Sequence, residues 1–251
     1  MLTKRLIARL DIKAPNLIKT VRLEGLRKLG DPYDAAAKYD AEGIDEIIYL
    51  DVVASLYGRN ALHPLVHRTS GGVYCPLTVG GGVRSVADAH ALFQAGADKV
   101  AVNTAAIRRP ALIGELAQKF GRQAVVIQID AKRKGNGYEC WCDGGREPTG
   151  RGVVGWSREA DERGAGELLI TSIDQEGTRS GFQEDLVAAA ADAVRVPVVA
   201  SGGFGDPDHA ARAIEAGASG VAVAHALHYE THTIDEIKRY LTEAGHHMRM
   251  I

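Results

Sequence analysis

The sequence has 251 residues, 45% of them hydrophobic and 25% charged, with 30 Lys and Arg against 32 Asp and Glu. A formal charge of −2 gives no field that would gather nucleic acid, and no apolar run approaches the ~20 residues of a membrane span. The basic start MLTKRLIARLD is broken by Arg9 and Asp11 and makes a poor signal peptide, and three cysteines (Cys75, Cys140, Cys142) make no disulfide framework, so a reduced, cytoplasmic protein is expected.

In chain order, short runs rich in Val, Ile and Leu predict strands at 6–10, 46–50, 76–79, 99–102, 124–129, 167–171, 196–200 and 220–223. Such continuous apolar runs suit strands buried on both faces. Amphipathic helices are expected between them, at 86–95, 111–120, 207–216 and 234–244. Asp31-Pro32 and Asp206-Pro207 read as helix starts, a capping Asp followed by Pro at the first helical position. Cys140-x-Cys142 reads as alternate positions of a β-hairpin rather than a zinc site, because no second ligand pair has matching spacing. Alternating strands and helices over about 250 residues predict a (β/α)8 barrel, in preference to a doubly wound open sheet.

The chain also repeats itself. GGGVRSVADAHALFQAGADKVAVNTA, from Gly80, aligns with SGGFGDPDHAARAIEAGASGVAVAHA, from Ser201, at an offset of 121. GIDEIIYLD and GAGELLITS align at the same offset, pairing Glu46 with Glu167. LIARLDIK and VVIQIDAK align at 119, pairing Arg9 with Gln128 and Asp11 with Asp130. A single barrel domain over 1–251 is therefore expected, made of half-barrels of about 1–122 and 123–251.

In such a barrel the chemistry sits at the C-terminal ends of the strands. Asp11 and Asp130 each end a predicted strand and would face each other across the mouth. Paired carboxylates suit acid–base work if one keeps its proton; the alternative is that each caps a turn. Glycine turns follow strands 3 and 7, with Gly81 and Gly82 in one and Gly202 and Gly203 in the other. Asn103 and Thr104 follow strand 4, and His225 follows strand 8. Two symmetric glycine cups predict a substrate with a phosphate at each end; the alternative is that the glycines only close tight connections. His225 and His228 are expected on one short helix, contacting phosphate or core rather than metal. Arg5, Glu46, Lys99 and Glu167 stand at strand starts, where they would form a salt-bridged ring around the axis or lie scattered in solvent.

KRLIARLDIK, LRKLGDP, TVGGG, GADKVAVNTAA, IDAKR, GAGELLITSID-x-x-GT-x-SG and VVASGG together resemble the cyclase subunit of imidazole glycerol phosphate synthase, the HisF family, over essentially the whole chain. The resemblance implies Asp130 as general acid and Asp11 as general base in a reaction of ammonia with a bisphosphorylated substrate, and no cofactor. In the histidine pathway that substrate is the phosphoribulosyl-formimino-aminoimidazole carboxamide ribonucleotide. It implies one phosphate cup at Gly82, Asn103 and Thr104, and another at Gly177, Gly203 and the segment that begins with His225. It implies Arg5, Glu46, Lys99 and Glu167 as an ammonia gate, with Asp98 and Gln123 on the face that docks a HisH-like glutaminase partner in a heterodimer.

The sequence departs from the family pattern at five places. Arg9 stands where the family has a small Cys, and Gln128 where it has Ala. Ala14-Pro15 replaces an Asp-Gly turn in the loop that covers the family's active site. His225 replaces a Ser at the second cup. ASLYGRN, residues 54–60, looks like paralogues that accompany surface-polysaccharide genes, where an amidine is installed on a sugar. The reading favoured from sequence is this paralogue branch, with cyclase-like chemistry. A true histidine-pathway cyclase, a sister-family aminoaldose isomerase and a non-catalytic ammonia conduit are the alternatives.

Overall fold

The computed structural model describes residues 3–54 and 62–250. Its first half contains β1 (Arg5–Lys13), β2 (Asn16–Val21), β3 (Glu24–Gly30), β4 (Glu46–Asp51), β5 (Leu77–Gly80) and β6 (Lys99–Val102). The second contains β7 (Val125–Lys134), β8 (Gly137–Cys142), β9 (Glu147–Gly152), β10 (Glu167–Ser172), β11 (Val198–Ser201) and β12 (Gly220–Val223). Eight of them pair in parallel as β1–β4–β5–β6–β7–β10–β11–β12, and β12 closes on β1. With helices between successive barrel strands, this is a (β/α)8 barrel.

The predicted helices form at Val86–Gln94, Ala111–Phe120, Pro207–Glu215 and Ile234–Glu243. Asp31 and Asp206 cap as expected, each accepting from a backbone N–H two residues on and each followed by Pro at the first helical position. A capping box at Thr233 and Glu236 starts the last helix. The sequence repeat is also a repeat of register. Arg9 pairs with Ile48 and Asp11 with Leu50, while Gln128 pairs with Leu169 and Asp130 with Thr171. Equivalent side chains therefore sit at equivalent places in the two halves.

The predicted loop after strand 1 is instead a β-ribbon. β1 runs past the barrel and turns into β2 and β3; β7 does the same with β8 and β9. Asp11 and Asp130 thus do not end their strands. Each sits where its strand leaves parallel pairing and enters the hairpin, since Asp11 also pairs with Ile18 and Asp130 with Trp141. The alternation in NLIKTV is the strand signal there. Cys140 and Cys142 are free, buried residues at alternate positions of β8.

Alternation along the strands makes two cores. Leu6, Ala8, Leu10 and Ile12 of β1 face the helices. Ile7 joins Ile48, Leu50, Ala101, Val126, Leu169, Val199 and Ala222 inside the barrel. Below this apolar plug the expected ring is closed. Arg5 pairs with Glu46 at 2.8 Å and with Glu167, while Lys99 pairs with both carboxylates at 2.8 Å. Thr78 donates a further hydrogen bond to Glu46 at 2.6 Å.

Because Lys99 serves two buried carboxylates, Lys99→Met leaves each with one cation. Chemical denaturation should show a loss of about 3–5 kcal/mol, the cost of breaking a buried ion pair by removing one partner.

Candidate active site

Along β1 the lumen-facing residues run Arg5, Ile7, Arg9 and Asp11, with Arg9 4% and Asp11 2% exposed. Arg9 Nε donates to Asp11 Oδ1 at 2.9 Å. Its Nη1 donates to Thr171 Oγ1 and Ser201 Oγ, both at 2.9 Å. Those hydroxyls belong to β10 and β11, three and two strands away from β1 in the barrel order. The guanidinium therefore lies across the lumen, above the apolar plug.

In the other half, Gln128 Nε2 donates to Asp130 Oδ1 at 3.0 Å, and Asn103 Nδ2 donates to Asp130 Oδ2 at 2.9 Å. The equivalent residues Arg9 and Gln128 thus each hold the aspartate two places along their own strand. One donor is a cation and the other a neutral amide. Burial pushes the Asp130 carboxyl above the usual carboxylate range, against the pull of Gln128, Arg9 and Asn103. Burial pulls Arg9 the other way, but Asp11, Glu176 and Asp130 outweigh it and hold the guanidinium firmly protonated. One aspartate sits in an ion pair and the other is biased toward its acid form.

Two cavities open beside this layer. The larger, about 320 Å³, is bordered by Asp130, Gln128, Gly81, Gly82, Asn103 and Thr104. Arg84, Arg108, Arg109 and Arg146 stand around it. The smaller, about 30 Å³, is bordered by Glu176, Gly177, Gly202, Gly203 and His225. Arg9 borders both. Asp11 is not among the residues that border either one.

The glycine turns have a packing reason. Gly81 has φ +97°, and a Cβ there would lie 2.5 Å from the Asp51 carbonyl oxygen. Its equivalent Gly202 has φ +89° and meets the Ser172 carbonyl at 2.8 Å. Asp51 and Ser172 are themselves equivalent strand ends, so the same close connection recurs in both halves.

Sequence reasoning missed the fastening over the smaller cavity. Glu176, 4% exposed, pairs with Lys19 of β2. It accepts from Thr20 Oγ1 at 3.3 Å and from the Leu23 N–H at 3.0 Å. Its backbone carbonyl accepts from the Arg22 N–H at 2.9 Å. Glu176 occupies an unassigned position of the SID-x-x-GT motif, and nothing local marks it as the partner of a lysine 157 residues away. The rim arginines were also missed, since they come from separate connections.

The remaining predicted residues fall as follows. His225 borders the smaller cavity, whereas His228 turns into the core, with Nδ1 2.8 Å from the Tyr39 hydroxyl. The two histidines share no ligand position. Asp98 and Gln123 are exposed just before β6 and β7, at the end of the barrel that carries the charged ring. Asp98 Oδ2 also accepts from the Leu77 N–H at 2.8 Å, fixing the start of β5. Of ASLYGRN only Ala54 lies within the described residues. Among the described residues, no helix is long and apolar enough to cross a membrane.

Residues 5–233 match the family described as "Histidine biosynthesis protein". The chain belongs to this family. Within it, the protein named "Imidazole glycerol phosphate synthase subunit HisF" from Gluconacetobacter diazotrophicus is 49% identical over 246 residues, covering 98% of this chain and 95% of the relative. The protein of the same name from Myxococcus xanthus is 47% identical over 252 residues, covering 100% of both. That from Legionella pneumophila is 58% identical over 202 residues, covering 80% of this chain and 95% of the relative. The family's barrel here carries an arginine across its lumen.

Asp130 also sets a pH dependence. Its folded pKa lies above the unfolded value, so its contribution to stability is fully present below the unfolded pKa and is lost as pH rises through the folded one. That window opens near the ordinary Asp value of about 3.9 and extends upward. Asp130→Asn carries no charge, so melting temperatures measured upward from there should show the variant gaining on the unchanged protein.

Proposed function

We propose that the chain is the ammonia-using cyclase subunit of an imidazole glycerol phosphate synthase, working in histidine biosynthesis. The observation that carries this reading is the unlike treatment of the two equivalent aspartates. Asp11, ion-paired to Arg9, serves as the base; Asp130, biased toward its neutral form, serves as the acid. The substrate is the phosphoribulosyl-formimino-aminoimidazole carboxamide ribonucleotide. Its phosphates go to the cup of Gly81, Gly82, Asn103 and Thr104 and to that of Gly177, Gly202, Gly203 and His225. Ammonia closes the imidazole and releases the second product.

A HisH-like glutaminase docks against the end that carries Asp98 and Gln123. Ammonia enters through the ring of Arg5, Glu46, Lys99 and Glu167 and rises along the lumen. The three relatives described above all carry the synthase name, which favours histidine synthesis over the sugar-amidation reading expected from ASLYGRN. Of the departures within the described residues, Arg9 and Gln128 lie beside the paired aspartates and bear on catalysis rather than on the pathway.

The test is turnover of the histidine-pathway substrate by the purified protein with ammonium salt. Asp130→Asn and Asp11→Asn should each lower kcat by about 10²–10⁴, the usual contribution of a general acid or base. No turnover by the unchanged protein sinks the reading. Full activity in both variants would rule out catalytic use of the pair. Glutamine should replace ammonium salt only when the glutaminase is added.

A further inference from the structure

The Arg9–Asp11 pair is incomplete as a hydrogen-bonded unit. Arg9 uses Nε on Asp11 and Nη1 on Thr171 and Ser201. Nη2 donates to no group among the described residues, although a guanidinium offers five N–H donors and the side chain is more than nine-tenths buried. Asp11 spends Oδ1 on Arg9 and leaves Oδ2 without a partner among the described residues. Neither atom is among the fully enclosed polar atoms that lack a partner, so both stay accessible to a polar group that enters from the cavities. Arg9 also borders both cavities, which places it at the middle of any ligand that reaches from one cup to the other.

We propose that Arg9 is a catalytic residue that donates through Nη2 to the ketone oxygen of the substrate's ribulosyl portion while ammonia attacks the ketone carbon. This rests on the cyclase reading above and gives Arg9 a role in it. The ammonia nitrogen forms a bond to the carbon, and the C=O π pair moves onto the oxygen beside Nη2. Asp130 gives its proton to that oxygen, and Asp11 takes one from the nitrogen through Oδ2. The product of the step is a neutral carbinolamine, with no redox change and no further reactant.

A fixed cation aimed at an oxygen that gains charge acts as an oxyanion donor, and removing one such donor costs about 10²–10³ in rate. Thr171 and Ser201 keep the guanidinium in place before the substrate arrives, so no reorganisation is needed as charge develops. The same hydroxyls explain why a long cation can sit in the lumen without folding back over the ring below.

The test uses the full chain with the histidine-pathway substrate and saturating ammonium salt. Arg9→Gln ends where Nε stands, so it can keep the Asp11 contact as Gln128 does with Asp130, but it carries no cation; it should lower kcat about 10²-fold with substrate KM changed less than about threefold. Arg9→Lys restores a cation and should recover at least tenfold of that loss. Arg9→Met serves as a second neutral variant, and circular dichroism with melting curves confirms that each variant is folded. A purely structural role for Arg9 would instead lower the folded fraction and leave kcat per folded molecule unchanged. A kcat within threefold of the unchanged protein, or a loss confined to KM, overturns the proposal while the cyclase reading stands. No turnover by the unchanged protein overturns both.

Discussion

Charge can remain inside this barrel only in compensated groups, and most of the site follows from that constraint. Isolated ions in a low-dielectric interior are too costly to keep, whereas paired and hydrogen-bonded ones are tolerated. The lumen obeys this at each polar level: a closed ring of four charges at the bottom, then Arg9 with Asp11 above the apolar plug. The same holds outside the lumen. Lys238 of the last helix pairs with Asp45 at 2.6 Å and ties the C-terminal segment to the start of β4. Lys19 and Glu176 fasten the first hairpin over the smaller cavity.

Asp130 is the exception. Its neighbours include two amides rather than a contacting cation, so its share of the interior is easier to hold as a neutral acid. Gene duplication in the sequence would give two alike halves; the difference between Arg9 and Gln128 makes them unlike. Two carboxylates in equivalent places thereby keep different partners, Asp11 a cation and Asp130 two amides. The cavities are unlike for a related reason. The hairpin of β2 and β3 is pinned down on one side by Glu176, while the other side stays open beneath a rim of arginines.

The apolar column of the lumen ends at the same cation. A route along the axis runs from the ring, past Ile7, Ile48, Val126 and Leu169, to the guanidinium of Arg9. In the proposed function, neutral ammonia crosses this apolar plug and emerges beside a group that repels ammonium.

The barrel, its two halves and the helix caps could be read from the sequence, which also put the four charges of the ring at strand starts but left open whether they paired. Each rests on local periodicity or on the offsets of 119 and 121 between equivalent residues, both of which are visible in one dimension. It also marked Arg9 and Gln128 as equivalent and facing inward, because side chains alternate along a strand. Tertiary structure decided what those residues do. The reach of Arg9 to Thr171 and Ser201, the Lys19–Glu176 fastening and the arginine rim join segments far apart in the chain, and no spacing rule encodes them. The hairpin extension of β1 was lost for another reason, although the Cys140-x-Cys142 spacing had marked the one after β7: the exposed outer strand β3 carries charge and glycine that read as loop. Whether an aspartate keeps or gives up its proton depends on burial and on partners delivered by other strands, and only the folded barrel supplies those.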